Sequence, residues 1–242
     1  MQPVLFIADL HLDEKRPAMV QLFLRFLQET AGRTRGLYIL GDLFEAWIGD
    51  DAAPPDHPVI TGLRAFSATG TPLYVMRGNR DFLLGDQFAE VTGATLLADP
   101  TVITLDDEPV LLSHGDRYCT DDREYQQFRA MVTDAAWQRE FLARPIEERL
   151  AMARQARDAS TAHTADLADT GTGIMDVNPE AVEQALRAHG VQRLIHGHTH
   201  RPAVHSLELD GRPATRIVLG DWFEQGSVLR VQDGDYDLQT VT

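Results

Sequence analysis

Six short apolar runs punctuate the chain, at Val4–Ala8, Leu37–Leu40, Leu73–Met76, Val110–Ser113, Leu194–Ile195 and Ile217–Leu219, each closing in Gly, Asp, His or Asn. Runs this short and this rich in Val, Ile and Leu read as strands buried on both faces, not as helices. After the first of them, Val20, Phe23, Leu24 and Leu27 fall at i, i+3, i+4 and i+7, which is one face of a helix. Strand, helix, strand in this order predicts an α/β fold with buried strands. Thr101–Leu105, Val204–Leu209 and Val228–Val231 add candidates spaced like an antiparallel sheet. The expected architecture is therefore a two-sheet α/β sandwich. No internal repeat or linker divides the chain, so one domain over residues 1–242 is expected.

The stretch from Asp121 to about Ala168 reads differently. Strand signals vanish there; Tyr125, Phe128 and Val132 share one helical face, and Ile146, Leu150 and Ala153 share another. Pro145 precedes Glu147 and Glu148 in what reads as a first helical turn. The segment is also rich in arginine, and residues 121–168 read as a helical insertion over the core, the alternative being more core-packing helix with a solvated charged face. The opening Val4–Ala8 run lacks the basic flank of a leader and reads as a buried strand. No uncharged apolar run approaches the ~18 residues of a membrane span. With 22 Lys+Arg against 37 Asp+Glu the net charge is −15, which excludes a broad electrostatic grip on nucleic acid. A single cysteine, Cys119, leaves no intramolecular disulfide and fits a reducing compartment.

Chemistry concentrates at the strand ends. Asp9-Leu10-His11, Gly41-Asp42, Gly78-Asn79-Arg80-Asp81, His114-Gly115-Asp116 and His196-Gly197-His198-Thr199-His200 all follow apolar runs, where open α/β sheets place their ligand crevice. Asp9, His11, Asp42, Asn79, His114, His196 and His198 are the candidate metal donors. This mixed oxygen and nitrogen set suits Mn²⁺, Fe²⁺ or Zn²⁺ better than an all-oxygen cage for Mg²⁺ or Ca²⁺. Asp9 and His11 lie two residues apart, as do His196 and His198, a spacing that on a strand points both side chains the same way. Seven donors exceed the needs of one ion with an open position, and two ions sharing a carboxylate, Asp42, use them fully. His200 reads as an outer residue that supports the ligands.

Taken in order, these motifs resemble the calcineurin-like metallophosphoesterases, whose pattern is DxH…GD…GN[HR][DE]…H…GHxH, over Asp9 to His200. The resemblance implies a four-layer α-β-β-α sandwich with one metal site at Asp9, His11, Asp42 and His198 and another at Asp42, Asn79, His114 and His196. Many members of the superfamily place a His after the Asn; here it is Arg80. A guanidinium holds phosphate oxygens but cannot act as a general acid near neutral pH, so the leaving group should need little protonation. A phosphate leaving a pyrophosphate meets that condition; a simple alkoxide does not.

The wider surroundings, including Leu43-Phe44-Glu45-Ala46-Trp47-Ile48-Gly49-Asp50-Asp51, Cys119-Thr120-Asp121-Asp122 and Ile174-Met175-Asp176-Val177-Asn178, resemble one bacterial family closely, the UDP-2,3-diacylglucosamine hydrolases (pyrophosphatases) of lipid A biosynthesis. That resemblance implies attack of water on the α-phosphorus of the UDP-linked substrate, releasing UMP and 2,3-diacylglucosamine 1-phosphate (lipid X), with two divalent ions, usually Mn²⁺. It also implies catalytic roles for Asn79, Arg80 and His114, and substrate contacts at Asn79, Arg80, Asp122, Ser160, Thr164 and His196. The 121–168 segment takes the place of a lid over glucosamine and acyl chains. A cytoplasmic protein bound peripherally to the inner membrane follows, with no nucleic acid and no obligate protein partner. The competing readings are a metallophosphoesterase for another phosphodiester or pyrophosphate and a non-catalytic binding scaffold, which a full donor set disfavours.

Overall fold

The computed structural model describes residues 1–54, 56–169 and 176–242, over 162–169 by backbone alone. In chain order the strands are β1 (Val4–Ile7), β2 (Gly36–Leu40), β3 (Leu73–Met76), β4 (Thr95–Leu97), β5 (Thr101–Leu105), β6 (Glu108–Ser113), β7 (Arg193–His196), β8 (Ala203–Leu209), β9 (Arg212–Val218), β10 (Gly226–Gln232) and β11 (Asp235–Val241). They form two sheets, ordered β11-β10-β1-β2-β3-β4 and β5-β6-β7-β9-β8. Within them β1 to β4 run parallel, as do β6, β7 and β9. The remaining pairings are antiparallel.

Period-two alternation sorts the side chains into layers. Leu5 and Ile7 of β1 face α1 (Pro17–Thr30) and α2 (Pro58–Ser67), packing with Phe23, Leu27, Leu63 and Phe66. Val4, Phe6 and Ala8 face the second sheet, meeting Leu112, Ile195 and Ile217. That sheet buries its other face, at Leu111 and Leu194, against Val182 and Leu186 of α7 (Pro179–His189). The four expected layers are present: helices, sheet, sheet, helix. α7 starts sharply because Pro179 opens it and the Asn178 side chain accepts the Ala181 N–H at 3.1 Å.

Two strands escape the sequence reading. β4 has only three residues, and β11 alternates Tyr236 and Leu238 with exposed polar groups on a solvent edge, so neither makes an apolar run. The 121–168 region is helical as expected, as α4 (Arg123–Val132), α5 (Ala135–Leu142) and α6 (Ile146–Asp169), with α3 (Asp86–Thr92) earlier in the chain. Its stripes, however, do not all pack inward. Val132 and Phe141 are buried, whereas Phe128, Met131, Leu142, Ile146 and Leu150 stay exposed. Phe141, Trp137, Met152 and Ala153 pack against the core, and polar contacts add to this. Arg149 is buried and donates to the Ile48 carbonyl and to Asp51, while Tyr125 Oη and Arg129 Nε donate to Asp116 Oδ2 at 2.7 and 2.8 Å.

Trp222 joins core and crevice. Its ring is fully buried, edge-on to Phe23 and Phe26, and its backbone N–H donates to the Asp9 carbonyl at 3.1 Å. Trp222→Ala should cost about 3–5 kcal/mol of unfolding free energy in urea titration. A loss below about 1 kcal/mol would show that this ring does not support the strand ends.

Candidate metal centre

Because the central strands run parallel, their carboxyl ends collect at one edge of the sandwich, and each motif follows one of them. The turns there are sharp. Asp9 (φ 55°), His11 (46°), Asp42 (52°), His198 (71°) and His200 (55°) all lie in the left-handed region, which costs a non-glycine residue roughly 1–2 kcal/mol. Asp9 and His11 thus do not extend β1, as their spacing suggests. They curl over its end, held by bonds from Asp9 N to Gly41 O (3.1 Å) and from His11 N to Asp42 O (2.9 Å). Glycine is required where backbone touches these carboxylates. A Cβ on Gly78 would lie 2.2 Å from Asp42 Oδ1, and one on Gly197 would lie 2.4 Å from Asp9 Oδ2.

Asp42 sits between two imidazoles, with Oδ2 3.7 Å from His11 Nε2 and Oδ1 3.7 Å from His114 Nε2. Asn79 Oδ1 lies 2.9 Å from both His114 Nε2 and His198 Nδ1. Asp9 Oδ2 accepts the His198 N–H at 2.8 Å, while its Oδ1 is buried without a hydrogen-bond partner among the described residues. His200 Nε2 lies 3.6 Å from that oxygen and 3.3 Å from His11 Nε2. Carboxylates stand behind both rings, Glu45 Oε2 at 3.5 Å from His11 Nδ1 and Asp221 Oδ2 at 3.4 Å from His200 Nδ1. A carboxylate on the far nitrogen is the usual way to aim an imidazole at a cation. Among the described residues two donor groups result, Asp9–His11–His200 and Asp9–Asp42–His114.

The electrostatics fit a cation. Burial pushes His11 down to about 3 and His198 to about 4, so both rings are neutral and offer lone pairs. Burial, with Asp81 and Asp9 nearby, raises Asp42 to about 7 despite His114. Against its burial, His114 is held up at about 9 by Asp42, Asp116 and Asp9, and one Asp9 oxygen has no hydrogen-bond partner among the described residues; a cation bound between these groups would take the place of the imidazole proton. The residues present fit divalent metal.

One expected ligand is not brought in. His196 ends β7 two residues after Leu194, so its side chain takes the outer face of the second sheet. There the ring is fully buried, with Nδ1 2.8 Å from Gly197 O and Nε2 3.4 Å from Arg216 Nη1. Neither the metal role nor the substrate contact read for His196 agrees with this placement. His200, read as a supporting residue, stands among the donors. The GHxH pattern is thus met by Gly197-His198-Thr199-His200.

The other named residues divide. Arg80 lies half-buried at the rim, its backbone N–H donating to Asp42 Oδ1 at 2.8 Å. Asp122 caps α4, accepting the Tyr125 N–H at 2.9 Å, and the Tyr125 ring lies 5.8 Å from that of His198. Ser160 is half-buried on α6; the Thr164 side chain lies outside the described residues. Burial pushes the Cys119 thiol up to about 12, which removes it as a nucleophile.

Asp81 and Arg16, like Asp221 behind His200, are supporting residues not read from the sequence. Asp81 is fully buried and accepts from the amides of Gly78 (2.8 Å), Asp42 (3.2 Å), Leu43 (2.8 Å) and Phe44 (3.3 Å). Its place in Gly78-Asn79-Arg80-Asp81 was the available signal. Arg16 donates to the carbonyls of His11 (3.3 Å) and Phe223 (3.0 Å), clamping two site loops together; nothing near it in the sequence marks that role.

Comparison with known proteins identifies the family. The calcineurin-like phosphoesterase family matches residues 2–202. A Stenotrophomonas maltophilia protein named UDP-2,3-diacylglucosamine hydrolase is 52% identical, over 98% of each chain. One of the same name from Xanthomonas axonopodis pv. citri is 52% identical over 94% of each. In structure, a dimetal phosphatase from Danio rerio aligns with a TM-score of 0.53 at 14% identity, covering 98% of this chain and 95% of that one, and shares the fold.

Asp81→Ala strips four amides of their acceptor and should cost about 2–4 kcal/mol of stability, measured by chemical denaturation; an unchanged midpoint would refute its role. His200→Ala should weaken Mn²⁺ binding by at least about tenfold in calorimetric titration, while His196→Ala stays within about threefold of the parent. The reverse ranking would restore His196 as the ligand.

Proposed function

Because the chain belongs to the calcineurin-like phosphoesterase family, we propose that it hydrolyses the pyrophosphate bond of UDP-2,3-diacylglucosamine, giving UMP and 2,3-diacylglucosamine 1-phosphate in lipid A biosynthesis. The observation that carries this reading is the pair of donor groups, Asp9–His11–His200 and Asp9–Asp42–His114, on a chain matching, over 98% of its length, a relative named for that hydrolysis.

Asp9, His11, Asp42 and His200 would hold one divalent ion, and Asp42, Asn79, His114 and His198 a second, with Mn²⁺ the proposed metal. When bound, such ions supply positive charge to phosphoryl oxygens and lower the pKa of water. The chain's own residues do the rest. Asp9 and Asp42 are fixed by the backbone amides of His198 and Arg80, and Asn79 by the His114 and His198 rings, so little reorganisation accompanies the reaction. Arg80, half-buried beside Asp42, presents a permanent charge to phosphate oxygens and has no proton to give. A departing sugar phosphate needs none. Asn79, past the end of β3, and His114, past the end of β6, orient the phosphoryl group from the two sheets.

The 121–168 segment acts as a lid in this reading, with Asp122, Ser160 and Thr164 as its substrate contacts. The exposed Phe128, Met131, Leu142, Ile146 and Leu150 provide an apolar surface for acyl chains. The same surface, together with the arginines of these helices, suits peripheral contact with the anionic cytoplasmic face of the inner membrane. No helix among the described residues is long and apolar enough to cross a membrane.

Turnover of UDP-2,3-diacylglucosamine in ¹⁸O-water, followed by mass spectrometry, tests the reading. One heavy oxygen should enter UMP and none the sugar phosphate, and chelation should abolish turnover until Mn²⁺ is restored. Label in the sugar phosphate, or no turnover, would overturn it. Arg80→Ala should lower kcat/KM by about 10²–10³ on this substrate; undiminished cleavage would remove Arg80 from the reaction.

A further inference from the structure

A cleft of about 240 Å³ opens beside the metal centre, lined by Asp176, Thr199, Arg201, His205, Arg216 and Val218 among others. Strand register explains the grouping. Arg216 pairs with Leu194 and His205, and Val218 with His196 and Ala203, so these side chains share the outer face of the second sheet. Farther along, that face is covered by α7. Here it carries charge instead of apolar packing, and Thr199 connects it to the site, standing between His198 and His200.

The charges have an unusual balance. Arg216 is 12% exposed and reaches Asp176 Oδ1 at 3.4 Å; Arg201, 60% exposed, reaches Asp176 Oδ2 at 3.9 Å. Two guanidinium groups thus face one carboxylate, a local positive excess in a chain of net charge −15. The other contact of Arg216 is the buried His196 ring at 3.4 Å. Among the described residues, Arg216 offers five N–H donors and meets these two acceptors at long range. Thr199 Oγ1, on the same lining, is buried with no hydrogen-bond partner among the described residues. A planar or anionic ligand bearing several acceptors would satisfy both.

We propose that this cleft seats the nucleoside monophosphate half of the substrate, gripped by Arg216 and Arg201, with Asp176 accepting from a ribose hydroxyl or base N–H. The proposal rests on the substrate class inferred above. The exposed apolar residues of the lid suit the acyl chains but offer nothing to a nucleotide, whereas guanidinium groups suit phosphate and the faces of flat rings.

Calorimetric titration of UMP into the Mn²⁺-loaded protein, beside kinetics on UDP-2,3-diacylglucosamine, tests it. Arg216→Ala should weaken UMP about tenfold and raise KM similarly, with kcat within about threefold. Affinity for 2,3-diacylglucosamine 1-phosphate should not change, and Arg216→Lys should recover part of the loss. Arg201→Ala, at an exposed position that folding does not need, should weaken UMP about threefold. Unchanged UMP affinity in both alanine variants, or equal weakening of both ligands, overturns the subsite. Failure of the parent protein to hydrolyse the UDP-linked substrate sinks the proposed function instead, and the UMP titrations still decide whether the cleft binds a nucleotide.

Discussion

Negative charge held tightly at the strand ends governs this molecule. Asp9, Asp42 and Asp81 are all essentially buried within one crevice, and their backbone contacts permit no retreat. Asp81 spends its oxygens on four amides, so the Asp42 and Asn79 loops cannot move apart. Asp9 keeps one oxygen without a hydrogen-bond partner among the described residues, close to His11 and His200. Left uncompensated, such crowding is costly; around divalent cations it becomes a binding site. The left-handed turns at five of the site residues fit the same picture, since local backbone strain persists only where the surroundings enforce it.

The layered fold serves this edge. Parallel strands in both sheets present their carboxyl ends together, and alternation along each strand sends apolar residues into three packed interfaces. The site residues lie just past the point where that alternation stops. Trp222 and Arg16 then join the loops of the two sheets, one from the core and the other from the rim.

Much of this was legible in the sequence because strands and donors sit side by side there. Val4–Ala8 followed by Asp9, and Leu37–Leu40 followed by Gly41-Asp42, announce both a buried strand and what stands at its end. The His196-Gly197-His198-Thr199-His200 run resisted reading for a physical reason. Three histidines repeat at the same two-residue interval; the GHxH pattern fits only Gly197-His198-Thr199-His200, and the end of β7 explains why that pair turns inward. The strand includes His196, so its ring follows Leu194 to the outer face, and the turn begins one residue later. The lid stripes misled in another way: a helical face of Phe128 or Leu150 looks the same whether it meets a core or awaits a lipid. Arg16 and Asp221 act over long sequence separations that no local pattern carries.

A crystal structure of the Mn²⁺-loaded protein with anomalous scattering measured at the manganese edge tests the central claim most directly. Two peaks should flank Asp42, one also touching Asp9, His11 and His200, the other Asn79, His114 and His198. A single peak, or manganese bound to His196, would contradict the account.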